Sequence, residues 1–170
     1  LKNKILSKDL KLNILSEVSK SKISKNLKIK DISINSRTIG KNDVFFAIRG
    51  KNIDGNKFIS EVFKKKSCLA IVNKINKKLQ LSRQIKVKNT LNFLTKCSSI
   101  FRNNINAKII AITGSCGKTT LKEMMGATLK KVSRTTFSPK SFNNKYGVPV
   151  SLFNLKFKDE FGVFEVGMDK

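Results

Sequence analysis

The stretch Ile109-Ile110-Ala111-Ile112-Thr113-Gly114-Ser115-Cys116-Gly117-Lys118-Thr119-Thr120 sets the reading of the whole chain. Four apolar residues run into a loop of small residues ending in Gly-Lys-Thr, and an amphipathic pattern follows. A buried strand that turns through glycines into a helix N-terminus leaves several backbone N–H groups unpaired and aimed one way. Such a nest holds a polyphosphate, with Lys118 as a point charge and the Thr119 hydroxyl available to Mg²⁺. Nucleotide binding is therefore the first expectation, with Gly114, Ser115, Cys116, Gly117, Lys118, Thr119 and Thr120 as the cofactor-binding set. The general phosphate-loop pattern carries a further glycine five residues before Gly117. Ile112 stands there, so this loop is the shorter Thr-Gly-x-x-Gly-Lys-Thr form. The competing reading, an ordinary strand-to-helix turn with a solvated Lys118, leaves unexplained two glycines three apart at the junction.

Downstream, a helix is expected over Lys118–Lys131, burying Leu121, Met124, Met125 and Thr128 on one stripe. A strand at Val132–Phe137 should follow, then a loop carrying Pro139, Asn143, Asn144 and Gly147. Phe161-Gly162-Val163-Phe164-Glu165-Val166-Gly167 reads as a strand buried on both faces, the kind found in parallel sheets. Together these make the start of a doubly wound α/β domain with its ligand at the carboxyl ends of the strands. Glu165 interrupts the apolar run. At a strand end beside the phosphate loop it can ligate Mg²⁺, which prefers oxygen donors and substrate phosphates; the alternative is a glutamate on an exposed strand end.

Upstream, short β-branched or aromatic segments at Asp31–Arg37, Val44–Ile48, Cys68–Asn73 and Gln84–Val87 read as strands. Helical spacing recurs in Asn56–Lys66 and Thr90–Asn103. The chain thus divides into a small α/β domain, 1–107, and the beginning of a phosphate-loop domain, 108–170. The second is too short to close its own sheet, and the chain starts on Leu1, so a fragment of a longer protein is expected.

Composition narrows the function classes. Hydrophobic residues make up 39% of 170, enough for a packed core rather than disorder. No apolar run reaches a membrane span, and lysines break up the N-terminal apolar residues where a signal peptide would need a continuous core. Cys68, Cys97 and Cys116 have no metal or disulfide spacing and the chain has no histidine, so free thiols in a reducing cytosol are expected. The net charge of +25 invites a nucleic-acid reading. The lysines are dispersed, however, and the arginines are only Arg37, Arg49, Arg83, Arg102 and Arg134, so no specific nucleic-acid partner is expected.

The order and spacing of several motifs resemble the Mur ligase family of ATP-dependent amide-forming enzymes. The motifs are Asn35-Ser36-Arg37, Asn42 through Gly50, Asp54-Gly55-Asn56-Lys57-Phe58, the TGSCGKTT loop, Phe142-Asn143-Asn144-Lys145-Tyr146-Gly147-Val148-Pro149 and Glu165-Val166-Gly167-Met168. The resemblance implies a small N-terminal substrate domain followed by the start of a P-loop ATPase domain. It places Ser36 and Arg37 at a UDP-substrate site, Asn143 and Asn144 near ATP, and Thr119 and Glu165 on Mg²⁺, with Lys118 and Glu165 as the catalytic pair. The last two motifs resemble the branch that joins D-alanyl-D-alanine to UDP-N-acetylmuramoyl-tripeptide through an acyl phosphate; a monomer is expected. Another amino-acid-adding branch, or a non-catalytic nucleotide-binding module, remains the alternative. Asn35 stands where the family commonly has Asp, Asn56 where it has His, and Cys116 where it has Asn or Ser. The family's further metal-binding histidine, carbamylated lysine and C-terminal domain fall beyond residue 170, so the chain alone is not expected to complete ligation. The Asp54-Gly55 turn reads more simply as a connection between elements.

Overall fold

The computed structural model describes residues 10–50, 52–139 and 142–167, so Met168, the end of the last motif, lies outside the described residues. The described chain divides into two compact units, Leu1–Cys97 and Ser98–Lys170, with the division falling inside one helix.

The first unit is built on a four-stranded, all-parallel sheet in the order β1-β2-β3-β4. Its strands are β1 (Ile32–Ser33), β2 (Val44–Phe46), β3 (Leu69–Val72) and β4 (Gln84–Lys86). The register aligns Val44 with Ile32 and Leu69, and Ile71 with Ile85. β2 and β3 are buried at every position, as strands covered on both faces must be. One face, carrying Phe45, Ala47, Ala70 and Val72, packs with Ile39 and with Ile59 and Val62 of α2 (Ile59–Lys64). Phe46 meets Phe93 of α3 (Thr90–Asn103) with ring centroids 6.2 Å apart. An N-terminal helix, α1 (Leu10–Ser19), buries Leu10, Leu12, Ile14 and Leu15. Sequence periodicity does not single it out.

Local side-chain bonding shortens two expected elements. β1 stops after Ser33 because Ser33 Oγ accepts from Asn35 N–H (3.0 Å) and Asn35 Oδ1 from Arg37 N–H (2.9 Å), pulling Asn35–Arg37 into a turn. The helix expected from Asn56 begins instead as a 3₁₀ turn, Gly55–Phe58, capped by the Asp54 carboxylate on Asn56 N–H (2.9 Å). This supports the connecting role of Asp54-Gly55. The Asn56 amide accounts first for the Asp54 carboxyl lying below its ordinary range.

The second unit is a three-stranded parallel sheet in the order β5-β7-β6: β5 (Lys108–Ile112), β6 (Thr135–Phe137) and β7 (Phe161–Glu165). α4 (Lys118–Val132) crosses from β5 to β6, and α5 (Gly147–Phe153) precedes β7. The doubly wound arrangement is as expected. β7 lies centrally and is buried from Gly162 to Glu165. β5 is an edge strand here, and only its last residue, Ile112, is buried.

The core stripe expected on α4 is corrected by the structure. Leu121 and Met124 are exposed, the latter to 64%, Thr128 is exposed with them, and Met125 is half-buried. The buried positions are Lys122 and Gly126. At Gly126 the approach is close: a Cβ there would lie 2.5 Å from the Phe137 ring, so that position needs a residue without a side chain. α4 also runs on to Val132, so the following strand starts at Thr135.

Candidate nucleotide site

The loop between β5 and α4 is shaped by two glycines. Gly117 is the N-cap of α4 with φ 74°, and Gly114 has φ 146°, both in the region that side chains with a Cβ rarely enter. No side chain at the N-cap bonds the first turn of α4. A 15-residue helix thus presents its positive end and first-turn N–H groups at the loop, with no acidic residue in its first turn. Lys118 folds back over the loop, donating from Nζ to Gly114 O (2.6 Å) and more weakly to Ser115 O (3.4 Å). Ser115, Cys116 and Thr120 are exposed, and Lys118 and Thr119 are half-buried.

Sheet register supplies the acidic partner. Ile112, the last residue of β5, pairs with Glu165, the last of β7, so the carboxylate leaves the sheet where the loop begins. Val166 N–H continues the ladder onto Ile112 O at 2.9 Å. Glu165 is 2% exposed. Thr119 Oγ1 donates to Glu165 Oε2 and Asn143 Nδ2 to Glu165 Oε1, each at 2.7 Å. Asn143 is anchored in turn by Gly167 N–H on its carbonyl (2.7 Å). Burial pushes the Glu165 carboxyl up, but the Thr119 and Asn143 hydrogen bonds, then the charges of Lys122 and Lys118, outweigh it and leave the group below its ordinary value. The cluster therefore offers an ionised carboxylate and a hydroxyl oxygen side by side. Among the described residues no three His, Cys, Asp or Glu side chains cluster to form an all-protein metal cage. One carboxylate and one hydroxyl suit Mg²⁺, which keeps most of its shell for water and phosphate oxygens.

Asn144 has a different task from its neighbour: its Oδ1 accepts from Tyr146 N–H and Gly147 N–H (both 3.0 Å), bracing the entry to α5. In the first unit, Ser36 is buried and Arg37 exposed in the turn after β1, and Lys65 Nζ donates to both their carbonyls (2.8 and 2.9 Å). A cleft of about 390 Å³ in that unit is lined by Asn56, Lys57, Lys74, Lys77 and Lys78 among others; Ser36 and Arg37 are not in its wall. Lys122 and Ser138 are drawn into the second unit's site although no sequence motif marks either; a lysine on the sheet-facing stripe of α4 becomes visible only once that stripe is known.

Strand, glycine loop, long helix and acidic strand end define a P-loop-type α/β unit that follows a small α/β unit in the sequence. Residues 28–102 match the catalytic-domain model of the Mur ligase family and residues 112–170 the Mur ligase middle-domain model. The chain belongs to the Mur ligase family. It is 39% identical over 145 residues to the UDP-N-acetylmuramoyl-tripeptide–D-alanyl-D-alanine ligase of Buchnera aphidicola (subspecies Acyrthosiphon pisum), covering 85% of this chain and 31% of that one. The corresponding ligase structure from Acinetobacter baumannii superposes with a TM-score of 0.75 at 31% identity, over 91% of this chain and 35% of its own. The Thermotoga maritima MurF ligase, solved in complex with ADP, gives 0.67 at 28% identity, over 86% of this chain and 34% of that one. The chain spans about a third of the length of the relatives it matches.

Proposed function

We propose that this chain is the part of an ATP-dependent ligase that holds a UDP-linked substrate and the nucleotide. The reaction joins D-alanyl-D-alanine to UDP-N-acetylmuramoyl-tripeptide. The observation that carries the reading is the Thr119–Glu165–Asn143 cluster at the mouth of a glycine loop, in a chain whose relatives bear that name. The loop N–H groups and Lys118 bind the β- and γ-phosphates, and Thr119 and Glu165 hold Mg²⁺, which neutralises phosphate charge when bound. Gly114 through Thr120 wrap the phosphates, with Asn143 orienting Glu165 and Asn144 shaping the adjoining segment. Residues 1–107 take the UDP end, with Arg37 on the diphosphate and Ser36 on the uridine; 108–170 take ATP. Transfer of the γ-phosphoryl group of ATP to the tripeptide carboxylate gives an acyl phosphate and ADP; the amine of the dipeptide then attacks the acyl carbon, forming the amide and releasing inorganic phosphate. These side chains contribute positioning and charge neutralisation to that step.

Calorimetric titration tests both halves. ADP is expected to bind more tightly with Mg²⁺ than with chelator, and Glu165→Gln to remove most of that difference. At about 0.15 M salt, where charge-driven adhesion is screened, UDP-N-acetylmuramoyl-tripeptide should bind saturably and Arg37→Ala should weaken it. Nucleotide binding without any Mg²⁺ effect, or substrate affinity indifferent to Arg37, would refute the corresponding half.

A further inference from the structure

Lys122 stands out among the ionisable side chains outside the phosphate loop. It lies one helical turn beyond Lys118 on α4 and is 0% exposed. Its Nζ donates to Ser138 O at 2.6 Å and lies 2.8 Å from Glu123 Oε1, whose side chain is half-exposed. An ammonium is costly to bury, and an apolar side chain of similar volume generally serves stability as well or better. Stability alone is therefore a poor reason for a lysine here.

What it grips is informative. Ser138, itself buried, continues the β6 ladder through its N–H on Val163 O (3.0 Å). Its Oγ accepts from Glu165 N–H at 3.4 Å. The Lys122 contact thus clamps the exit of β6 against α4, and the residue so held, Ser138, meets the Glu165 backbone. Thr119, the other partner of Glu165, lies three residues before Lys122 on the same helix. We infer that Lys122 is a positioning residue for the metal–nucleotide site: through Ser138 it fixes the orientation of Glu165 without itself touching nucleotide or metal. This rests on the reading of Thr119 and Glu165 as the Mg²⁺-holding pair.

The test is the Mg²⁺ dependence of ADP binding in the full chain, for Lys122→Met, Lys122→Gln and Glu165→Gln, with thermal melts to confirm folding. Outer-shell groups that orient a ligand typically change metal affinity by about 10–100-fold. Lys122→Met is therefore expected to raise the Mg²⁺ concentration for half-maximal enhancement about tenfold, leaving chelator-condition ADP affinity within about twofold. Lys122→Gln, which keeps a donor for Ser138 O, should fall between it and the parent, and it carries the test if the Met variant does not fold. A folded variant with the parent's Mg²⁺ response overturns the inference. So does an equal loss with and without Mg²⁺, the mark of a merely structural role. If Glu165→Gln leaves the Mg²⁺ response intact, the metal-site reading fails and this inference with it; a strong Glu165→Gln effect beside silent Lys122 variants sinks this inference alone.

Discussion

The three cysteines differ in environment more than in chemistry. Cys68 and Cys97 are buried, and burial pushes their thiols up to about 11 and about 12; Cys116 is exposed at the start of α4. The thiolate is the nucleophile, so iodoacetamide at pH 8 should label Cys116 alone in the folded chain and all three after denaturation. Mass spectrometry of the digested chain counts the adducts. A bulky adduct at Cys116 sits where the loop would wrap phosphates, so ADP affinity should drop by tenfold or more by order of magnitude; unchanged affinity after stoichiometric labelling would contradict the site. The same two buried thiols set an alkaline limit. Their folded values exceed the ordinary 9.0, so the folded chain keeps protons that the unfolded chain releases. Their contribution to stability is complete below pH 9 and is lost as pH rises through 11 to 12, which denaturant melts across that window would show.

At the scale of elements, α4 is the instructive case. Its apolar residues Leu121 and Met124 face outward in this structure, and Val132 at its end is 80% exposed, while Gly126 faces the sheet. Gly126→Ala should therefore destabilise although alanine is the better helix former by about 1 kcal/mol. The added Cβ meets the Phe137 ring, and overpacking typically costs about 1–3 kcal/mol. Pairing it with Phe137→Leu should recover part of the loss; a Gly126→Ala chain with a raised Tm would refute the packing. Conversely, Leu121→Gln or Met124→Gln in the 170-residue chain should change stability by no more than about 0.5 kcal/mol, as exposed substitutions usually do. A loss of several kcal/mol would restore the stripe expected from hydropathy. Periodicity missed the arrangement because it ranks residues by polarity, whereas a close helix–strand contact is selected by size.

For the molecule as a whole, charge is the dominant property. At +25, adhesion to DNA is expected in dilute buffer, and it should fall steeply between about 50 and 200 mM salt because it depends on counterion release. The proposed binding of ADP with Mg²⁺ would rest on fixed hydrogen-bond donors and should change much less over the same range. Filter binding and calorimetry at matched salt separate the two, and DNA binding that survives 200 mM salt would revive the nucleic-acid reading. Among the described residues no helix is long and apolar enough to cross a membrane.

The sequence by itself determined the α/β class, the glycine loop at a strand-to-helix junction and the lone carboxylate, Glu165, in the last apolar strand. Each depends on local chemistry: alternation or continuity of apolar residues, glycines where positive φ is needed, a lone carboxylate in an apolar run. Only tertiary structure decided that Glu165 sits beside Ile112, because parallel register is set by packing between segments far apart in the chain. It likewise decided that Asn143 turns to Glu165 while Asn144 braces α5, and that α4 buries a lysine and a glycine while Leu121 and Met124 stay exposed. Those outcomes depend on which atoms meet across the fold, and the identity of a residue does not state its neighbours.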